Sequence, residues 1–454
     1  MADSPAFSLV VDSEHSQPRL DEAYDADDSY LGPVTIHSPR PISNSRTRAT
    51  IFSSVISLSA TTLGAGLLSL PKAFALLGVT WGLIAIISVG ILSDLTLTWL
   101  VDCSRLSGRR SYEGNAGHYL GRVGAVTLHM FLLLLLAGAS VAMLMIAADT
   151  APIESLQLTR TSVLVLFSMI SFPLCASSNL SSLKHVSALA LGCLAYFYAL
   201  LISRFAAAKE VADDLNWSEG PSSIQDATLS FSVILSSFIC HFNIFKIDTE
   251  LADMTTTRTT SVIHFSTIGI CVTVYVTAGL AGYFIFGPTV SSNVLDDFDD
   301  KDFAVIVGKS AICLTNLFKF PLLVVPLRDS VIEAFPEALR HSLNSFLPRV
   351  TATFILVASI STAAMNLNDL MHILGLVGCS AGVFTAFFLP AVLRIQFNQK
   401  KAEEVNMVNE IRSSSLLPIH ATAHTATVKA NIFPVLIAGA SLLIGLSSFY
   451  FSIN

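Results

Sequence analysis

The stretch Thr61–Gly78, with the sequence TTLGAGLLSLPKAFALLG, belongs to an apolar segment that begins near Thr50 and is long enough to cross a bilayer. Gly64, Gly66 and Pro71 fall within about two helical turns of it. Glycine costs about 1 kcal/mol and proline about 3 kcal/mol in a helix interior, and backbone groups freed in lipid find no water to bond with. The stretch therefore predicts either an unwound hinge with exposed backbone dipoles or a close helix contact through small residues.

The composition predicts a protein that crosses a membrane many times. Of its 454 residues, 52% are apolar and only 13% are charged, whereas soluble domains have about 25% charged residues. The acidic residues, which give a formal net charge of −7, cluster in a tail and in two loops. Because no basic stripe faces them, no nucleic acid partner is predicted. No nucleotide-binding loop or metal-ligand spacing is found, so no enzyme, catalytic residue, metal or cofactor is predicted either.

Eleven apolar segments of about 18–25 residues each have the length that a tilted helix needs to cross a bilayer. Residues 1–49, before the first of them, are too poor in apolar side chains to fold alone and are predicted to form a disordered tail. We expect an all-α protein with helices at residues 50–76, 80–102, 122–148, 160–178, 184–205, 228–250, 260–286, 303–326, 346–364, 369–394 and 430–451.

Lysine and arginine concentrate in alternate loops, which predicts the orientation in the membrane. The loops on the side of residues 1–49 hold most of them, whereas the opposite loops are acidic and hold little beyond Arg160, Lys209 and Lys301. We therefore expect a cytosolic N-terminus and, after an odd number of spans, a C-terminus outside. Asn216 lies in a sequon of an outer loop and is a predicted glycosylation site.

The sixth segment is interrupted like the first. Residues 231–253 have the sequence FSVILSSFICHFNIFKIDTELAD, with ionisable side chains in the second half. Such side chains are costly at bilayer depth and usually face a cavity or each other. Interrupted helices at corresponding places in two halves indicate the binding site of a transporter. This layout predicts two five-helix repeats, residues 50–205 and 228–394, followed by an eleventh helix at 430–451.

Five short motifs, in the expected order along residues 50–451, resemble those of a known family. They are GAGLLSLPKAF (Gly64–Phe74), Ser111-Tyr112-Glu113 with Gly121, CHFNIFKIDTEL (Cys240–Leu251), Gly282-Tyr283 with Phe286-Gly287, and PLLVVPLR (Pro321–Arg328). The chain is similar in these motifs to the amino acid/auxin permease family, which includes the sodium-coupled neutral amino acid transporters and many fungal, plant and protist permeases.

The resemblance implies the leucine-transporter-like fold, with an amino acid held between spans 1, 3, 6 and 8. The substrate carboxylate would meet backbone N–H groups of Leu63–Gly66, helped by the positive end of the half-helix that follows. The substrate ammonium would meet carbonyls around Phe238–Cys240. The substrate-binding residues expected on this basis are Thr61, Thr62, Leu63, Gly64, Ala65, Gly66, Phe238, Ile239, Cys240 and His241.

Two positions depart from the sodium-coupled members of the family. Those members have an Asn before the glycines of the first span and a Thr before the proline of the eighth, where this chain has Ala60 and Lys319. A lysine ammonium can take the place of a sodium ion, and its pKa falls readily on desolvation. We therefore expect proton coupling, or facilitated transport, in place of sodium coupling. The alternative is that Lys319 snorkels toward the cytosolic face near Arg328.

Three further ionisable residues are candidates for coupling or gating. Asp94, in the second span, is a candidate proton site or a partner for a lysine. Glu250 is expected to fix the inner half of the sixth span by pairing with a basic loop residue. His241 is expected to serve as a structural hydrogen-bond donor or a gate more than as a reactive group.

The sequence thus predicts a secondary amino acid transporter that works by alternating access, with neutral amino acids favoured because no acidic residue stands in the two breaks. Cationic substrates and sodium coupling remain alternatives. A different hypothesis is an amino acid sensor that signals to a cytosolic partner through residues 1–49. We expect an integral protein of the plasma membrane, with the vacuolar or lysosomal membrane as the alternative.

Overall fold

The computed structural model describes residues 49–64, 66–151, 159–176, 186–208, 210–251, 256–299, 301–343, 345–367, 369–413 and 421–453. The predicted tail lies outside the described residues except for Ala49. The α-helices are α1 (Ile51–Thr62), α2 (Gly66–Leu77), α3 (Val79–Ser107), α4 (Tyr112–Asp149), α5 (Arg160–Ala176), α6 (Val186–Ala207), α7 (Ile224–Ser237), α8 (Ile244–Glu250), α9 (Thr256–His264), α10 (Thr273–Phe286), α11 (Phe303–Glu333), α12 (Glu337–Leu343), α13 (Phe346–Asn366), α14 (Leu370–Val377), α15 (Leu389–Ser413) and α16 (Ala421–Ile453).

Long apolar helices account for nearly all of the described chain, which confirms the predicted all-α membrane fold. Nine helices or helix combinations of the described residues are long and apolar enough to cross a membrane, and α1 with α2 makes a tenth if the pair counts as one span. The fourth predicted span is the shorter helix α5, Arg160–Ala176, with 17 residues. The count of eleven is therefore not confirmed.

The first span is broken where its glycines are. Thr50 caps α1 by accepting a hydrogen bond from the backbone of Ser53. The helix ends when Leu63 takes extended backbone angles (φ −68°, ψ 104°), and α2 starts at Gly66 with its axis turned by 61°. The sequence interpretation of an interrupted first span agrees with this geometry.

The sixth span is also interrupted, between α7 and α8. The backbone leaves the α-helix after Ser237, makes a short 3₁₀ turn at His241–Asn243, and resumes as α8. At the C-terminal end of α8, the N–H of Ala49 donates to the carbonyl of Glu250 at 3.0 Å. This bond ties the start of the described chain to the second half of the sixth span.

Two spans contain π-helical turns, which often occur at functional sites. The seventh span joins α9 to α10 through a π-helix at Phe265–Val272. The tenth span joins α14 to α15 through π-helices at Gly378–Gly382 and Phe384–Phe388.

The helices pack as two groups. In the first group, α2 packs on α7 and α10, while α1 packs on α9 and the π-helix that follows it. In the second group, α4 packs along α11, and α5 packs on α13. Small residues allow close approach in the first group, because Phe74 of α2 lies between Gly82 and Gly279, where a Cβ would come within 2.5 Å and 2.4 Å of its ring. The hypothesis of small-residue packing therefore holds beside the hinge.

Candidate functional site

One tyrosine connects the ends of both broken helices. The Tyr275 hydroxyl lies 2.7 Å from the carbonyl oxygen of Thr62 and 2.7 Å from that of Ser237, so it donates its proton between the last carbonyls of α1 and α7. The Tyr275 side chain is fully buried. Helix-end carbonyls have no partner within their own helix. The two breaks are therefore one structural unit, held by a residue outside both.

The N–H groups of the first break are only partly available. The Leu63 N–H donates to the Ser59 carbonyl at 2.7 Å, so Leu63 does not offer the free donor that the sequence predicted. Both Thr61 and Thr62 donate their hydroxyls to the Leu58 carbonyl at 2.8 Å. These bonds satisfy the end of α1, and Gly64 is the described residue of the break that lines a cavity. Ala65 lies outside the described residues.

A small cavity of about 20 Å³ lies beside this break, enough for about one water molecule. Gly64 forms part of its wall, and a Cβ at Gly64 would have only the Thr62 carbonyl within 4 Å, at 3.8 Å. The cavity lies between the two helix groups. Its lining comprises Gly64 and Leu68, Met143 and Ile146 of α4, Cys193 and Leu194 of α6, and Ile312, Thr315, Asn316 and Lys319 of α11.

Lys319 faces this cavity and not the level of Arg328. Among the described residues, the Lys319 ammonium has no hydrogen-bond or ion-pair partner. Arg328 is fully buried elsewhere, where it donates to the Cys175 carbonyl at 2.9 Å and pairs with Asp329 at 2.8 Å. Lys319 thus lines the cavity beside the first break, apart from the partners of Arg328. Ala60, the other departure from the sodium-coupled pattern, is half-buried one turn before the break.

The sixth-span break is buried and partly satisfied. The His241 Nε2 lies 2.9 Å from the Thr96 hydroxyl, and the His241 Nδ1 is buried without a partner among the described residues. The Phe238 carbonyl accepts a hydrogen bond of 3.4 Å from Ser93. Phe238 and Cys240 are fully buried, and Ile239 is half-buried. His241 therefore connects the sixth span to α3.

Asp94 has a different partner from the predicted lysine. Its Oδ1 lies 2.7 Å from the His264 Nδ1 and accepts a hydrogen bond of 2.8 Å from Thr267. The pair links α3 to the start of the π-helix of the seventh span. Sequence alone did not select His264, because its partner lies 170 positions away.

The ion pair that holds the second half of the sixth span uses Asp248 instead of the predicted Glu250. Arg105 bonds Asp248 at 2.6 Å, and Thr259 donates to the same carboxylate at 2.6 Å. Asp248 is buried, whereas Glu250 is exposed. The basic partner is also not the predicted loop residue, because Arg105 lies in the last turn of α3. Helix register decides which acid of α8 turns toward it.

Asn216, the predicted glycosylation site, forms a turn of the loop between α6 and α7. Its Nδ2 donates to the Gly220 carbonyl at 2.9 Å, and its Oδ1 accepts from the Glu219 N–H at 3.0 Å. Gly78, which has a φ of +80°, packs so closely that a Cβ there would lie 2.7 Å from that Oδ1. Asn216 therefore has a structural role in the contact between this loop and the first two spans.

Two interrupted spans in contact, with a cavity beside the first break, are typical of helical membrane transporters. The chain matches the family model "Transmembrane amino acid transporter protein" over residues 47–419. It therefore belongs to this family of transporters, as the sequence motifs predicted.

Named relatives support this assignment. Vacuolar amino acid transporter 5 of Schizosaccharomyces pombe is 28% identical over 386 residues, which cover 83% of this chain and 89% of the relative. Amino acid transporter AVT6B of Arabidopsis thaliana is 26% identical, with coverage of 77% and 84%. Vacuolar amino acid transporter 2 of Saccharomyces cerevisiae is 25% identical, with coverage of 76% of each chain.

Solved structures show the same fold. The chain is similar to Mhp1 in its inward-facing conformation with a TM-score of 0.56, over 89% of this chain and 90% of that one, at 11% identity. Its similarity to Mhp1 in a closed conformation with bromovinylhydantoin bound has a TM-score of 0.53. At this identity the likeness establishes the transporter fold alone, and it confirms the predicted fold class.

Proposed function

We propose that this protein moves amino acids by alternating access without sodium, with Lys319 as a fixed cation near the place where sodium-coupled relatives bind their ion. The observation that carries the proposal is the cavity that Lys319 shares with Gly64 of the first-span break. A charged group there would supply the positive charge that sodium otherwise brings. The coupling ion is then a proton, or there is none.

Alternating access requires two bodies that move against each other around a central site. The first helix group, with both breaks, is tied together by Tyr275. The second group forms the other wall of the cavity through α4 and α11. A cavity of about 20 Å³ is too small for an amino acid. Substrate therefore enters when the two helix groups separate. When the groups close again without substrate, the small cavity forms again.

The test is uptake of labelled amino acids into proteoliposomes, with sodium and proton gradients imposed separately. We expect accumulation with an inward proton gradient, or equilibration without one, and no effect of sodium. Lys319→Thr restores the residue type of the sodium-coupled pattern, and Lys309→Thr removes a lysine of the same helix as a matched control. Sodium-driven accumulation by the wild type that Lys319→Thr leaves unaltered contradicts the proposal.

Two of the similar proteins, from Schizosaccharomyces pombe and Saccharomyces cerevisiae, are named vacuolar amino acid transporters. We therefore propose the membrane of a vacuole or another acidic organelle ahead of the plasma membrane. An acidic lumen would also supply the proton gradient. Microscopy of the tagged full-length chain tests this, and exclusive staining of the cell surface contradicts it.

A sensor that signals through residues 1–49 is a second candidate, favoured by the hydrogen bond from Ala49 to the Glu250 carbonyl. This bond joins the base of the tail to the inner half of the sixth span. A change at the site could therefore alter how the tail is presented. Pull-down with the full chain, with and without amino acid, tests it, and a tail that captures no partner in either condition contradicts it.

A further inference from the structure

One face of α11 carries polar side chains into the cavity. Thr315, Asn316 and Lys319 all line it. They occupy positions i, i+1 and i+4 of the helix, so they project from about one third of its circumference. Gly64 of the first-span break lines the same cavity.

These side chains have unused hydrogen-bonding capacity. Thr315 and Asn316 are only 5% and 6% exposed, and the Thr315 hydroxyl has no partner among the described residues. Thr353, by contrast, donates its hydroxyl to the Arg349 carbonyl one turn back, at 2.9 Å. The Asn316 amide and the Lys319 ammonium also have no partner in the described part of the chain. Buried polar groups are ordinarily paired, so unpaired groups around one cavity indicate a ligand.

The charge of the cavity determines the sign of that ligand. Lys319 is a cation with three donors and no acceptor, and no Asp or Glu is among the described residues that line the cavity. An uncompensated cation at bilayer depth is costly. An anion that has several acceptor atoms removes this cost and satisfies Thr315 and Asn316 as well.

We propose that Thr315, Asn316 and Lys319 form the subsite for the side-chain carboxylate of an acidic amino acid. The inference rests on the proposed function and names its substrate class. The two breaks keep the α-carboxylate and the ammonium of the substrate, while Lys319 selects the second carboxylate. The sequence favoured neutral substrates because no acid stands in the breaks. The cavity changes that expectation, because its selecting charge lies on α11.

Glutamate and glutamine test this subsite, because they have nearly the same shape and differ in charge. We expect the wild type in proteoliposomes to have about tenfold or more higher affinity for glutamate than for glutamine. Lys319→Met should lower the affinity for glutamate by about 10- to 100-fold, as for a lost hydrogen bond to a charged group. Glutamine affinity should change by less than about threefold in Lys319→Met. The control is Lys309→Met, which removes a buried lysine of α11 that does not line the cavity.

Chloride is the other source of an anion for this cavity, so uptake is repeated with sulfate in place of chloride. Uptake that depends on chloride and shows no preference for glutamate overturns the proposal. An equal loss of affinity for glutamate and for glutamine in Lys319→Met also overturns it. If Lys319→Met does not fold, Thr315→Val and Asn316→Leu provide the same comparison.

Binding is also measured without transport, from the shift in thermal unfolding that glutamate causes in the detergent-solubilised protein. A shift with glutamate but no flux of any amino acid supports the subsite and contradicts the proposed transport function. Flux of neutral amino acids together with no shift from glutamate overturns the subsite and leaves the transport function in place.

Discussion

Gly66 lies directly against Ser237, so the two interrupted spans touch at their breaks. A Cβ built on Gly66 would lie 1.9 Å from the Ser237 Oγ and 3.1 Å from its Cα. The second distance involves backbone, which cannot rotate away. Gly66 is thus required by packing between α2 and α7, whereas the nearby Gly64 faces open space.

Gly66→Ala should destabilise the protein by about 1–3 kcal/mol, the usual cost of overpacking. Alanine is the better helix former, so a loss would come from the contact with Ser237 and not from helix propensity. Thermal unfolding of the detergent-solubilised protein measures it. Gly64→Ala is the control and should unfold near the wild-type temperature, because its Cβ meets only one atom within 4 Å. Equal stability of the two variants would refute the packing explanation.

Tyr275→Phe should destabilise the protein by about 1–3 kcal/mol, because it leaves two buried carbonyls without their donor. We also expect slower uptake, since the ends of α1 and α7 lose their common anchor. Thermal unfolding and initial uptake rates measure the two effects. Tyr198→Phe, which removes a hydroxyl bonded to Thr277 at 2.9 Å, is the matched control. If both variants behave alike, the bridge between the breaks has no special role.

Arg105 and Asp248 should show an interaction energy of about 1 kcal/mol or more in a double-mutant cycle, because Asp248 is only 9% exposed in its pair with Arg105. The cycle uses Arg105→Gln and Asp248→Asn and is measured by thermal unfolding. The Arg204–Asp302 pair is more exposed, with side chains 40% and 30% accessible, and its interaction energy should stay below about 1 kcal/mol. A larger interaction energy for Arg204–Asp302 than for Arg105–Asp248 would contradict the assignment of Asp248 as the residue that holds α8 in place.

Asp94→Asn should abolish accumulation against a substrate gradient while leaving downhill uptake. The amide keeps an oxygen to accept from His264 and Thr267, yet it cannot bind and release a proton. Uptake at imposed proton gradients measures this. Asp102→Asn, in the same helix and paired with Arg394 at 2.7 Å, is the control. Undiminished proton-driven accumulation in Asp94→Asn would remove Asp94 from the candidates for the coupling site.

Asn216 should remain free of glycan despite its sequon, because the residue is half-buried and its Nδ2 donates to the Gly220 carbonyl. Electrophoretic mobility of the protein from a eukaryotic host, before and after glycosidase treatment, measures this. Asn216→Gln should lower thermal stability by about 1 kcal/mol, the typical worth of a hydrogen bond. A mobility shift that disappears in Asn216→Gln would show that the sequence prediction was right.

The features that the sequence predicted well are local ones. Glycine disfavours a helix wherever it occurs, so a break at Gly64 and Gly66 was one of the two predictions for the first span, beside small-residue packing. Pro71, by contrast, lies within α2. The polar second half of the sixth span is equally conspicuous in an apolar chain. Segment length sufficed for the membrane fold, although the shortness of α5 left the number of spans unconfirmed.

The pairings were less predictable, because they depend on helix register and on partners far along the chain. From the sequence, a lysine was the predicted partner of Asp94, whereas in the structure Asp94 bonds His264. An ion pair was predicted for Glu250, but the register of α8 places Asp248 in the ion pair instead. Tyr275 was missed, because a tyrosine in an apolar span has no distinguishing motif, although a buried hydroxyl normally finds a partner.

The sequence by itself determined that this protein is a helical membrane transporter with two broken spans, since backbone propensity and hydrophobicity act over a few adjacent residues. Only the tertiary structure decided which groups meet. It placed the Tyr275 hydroxyl on a carbonyl 213 positions away, and it set Lys319 beside Gly64 in a cavity with no acid in its described lining. Such contacts follow from how helices pack and turn against each other, which no short stretch of sequence specifies.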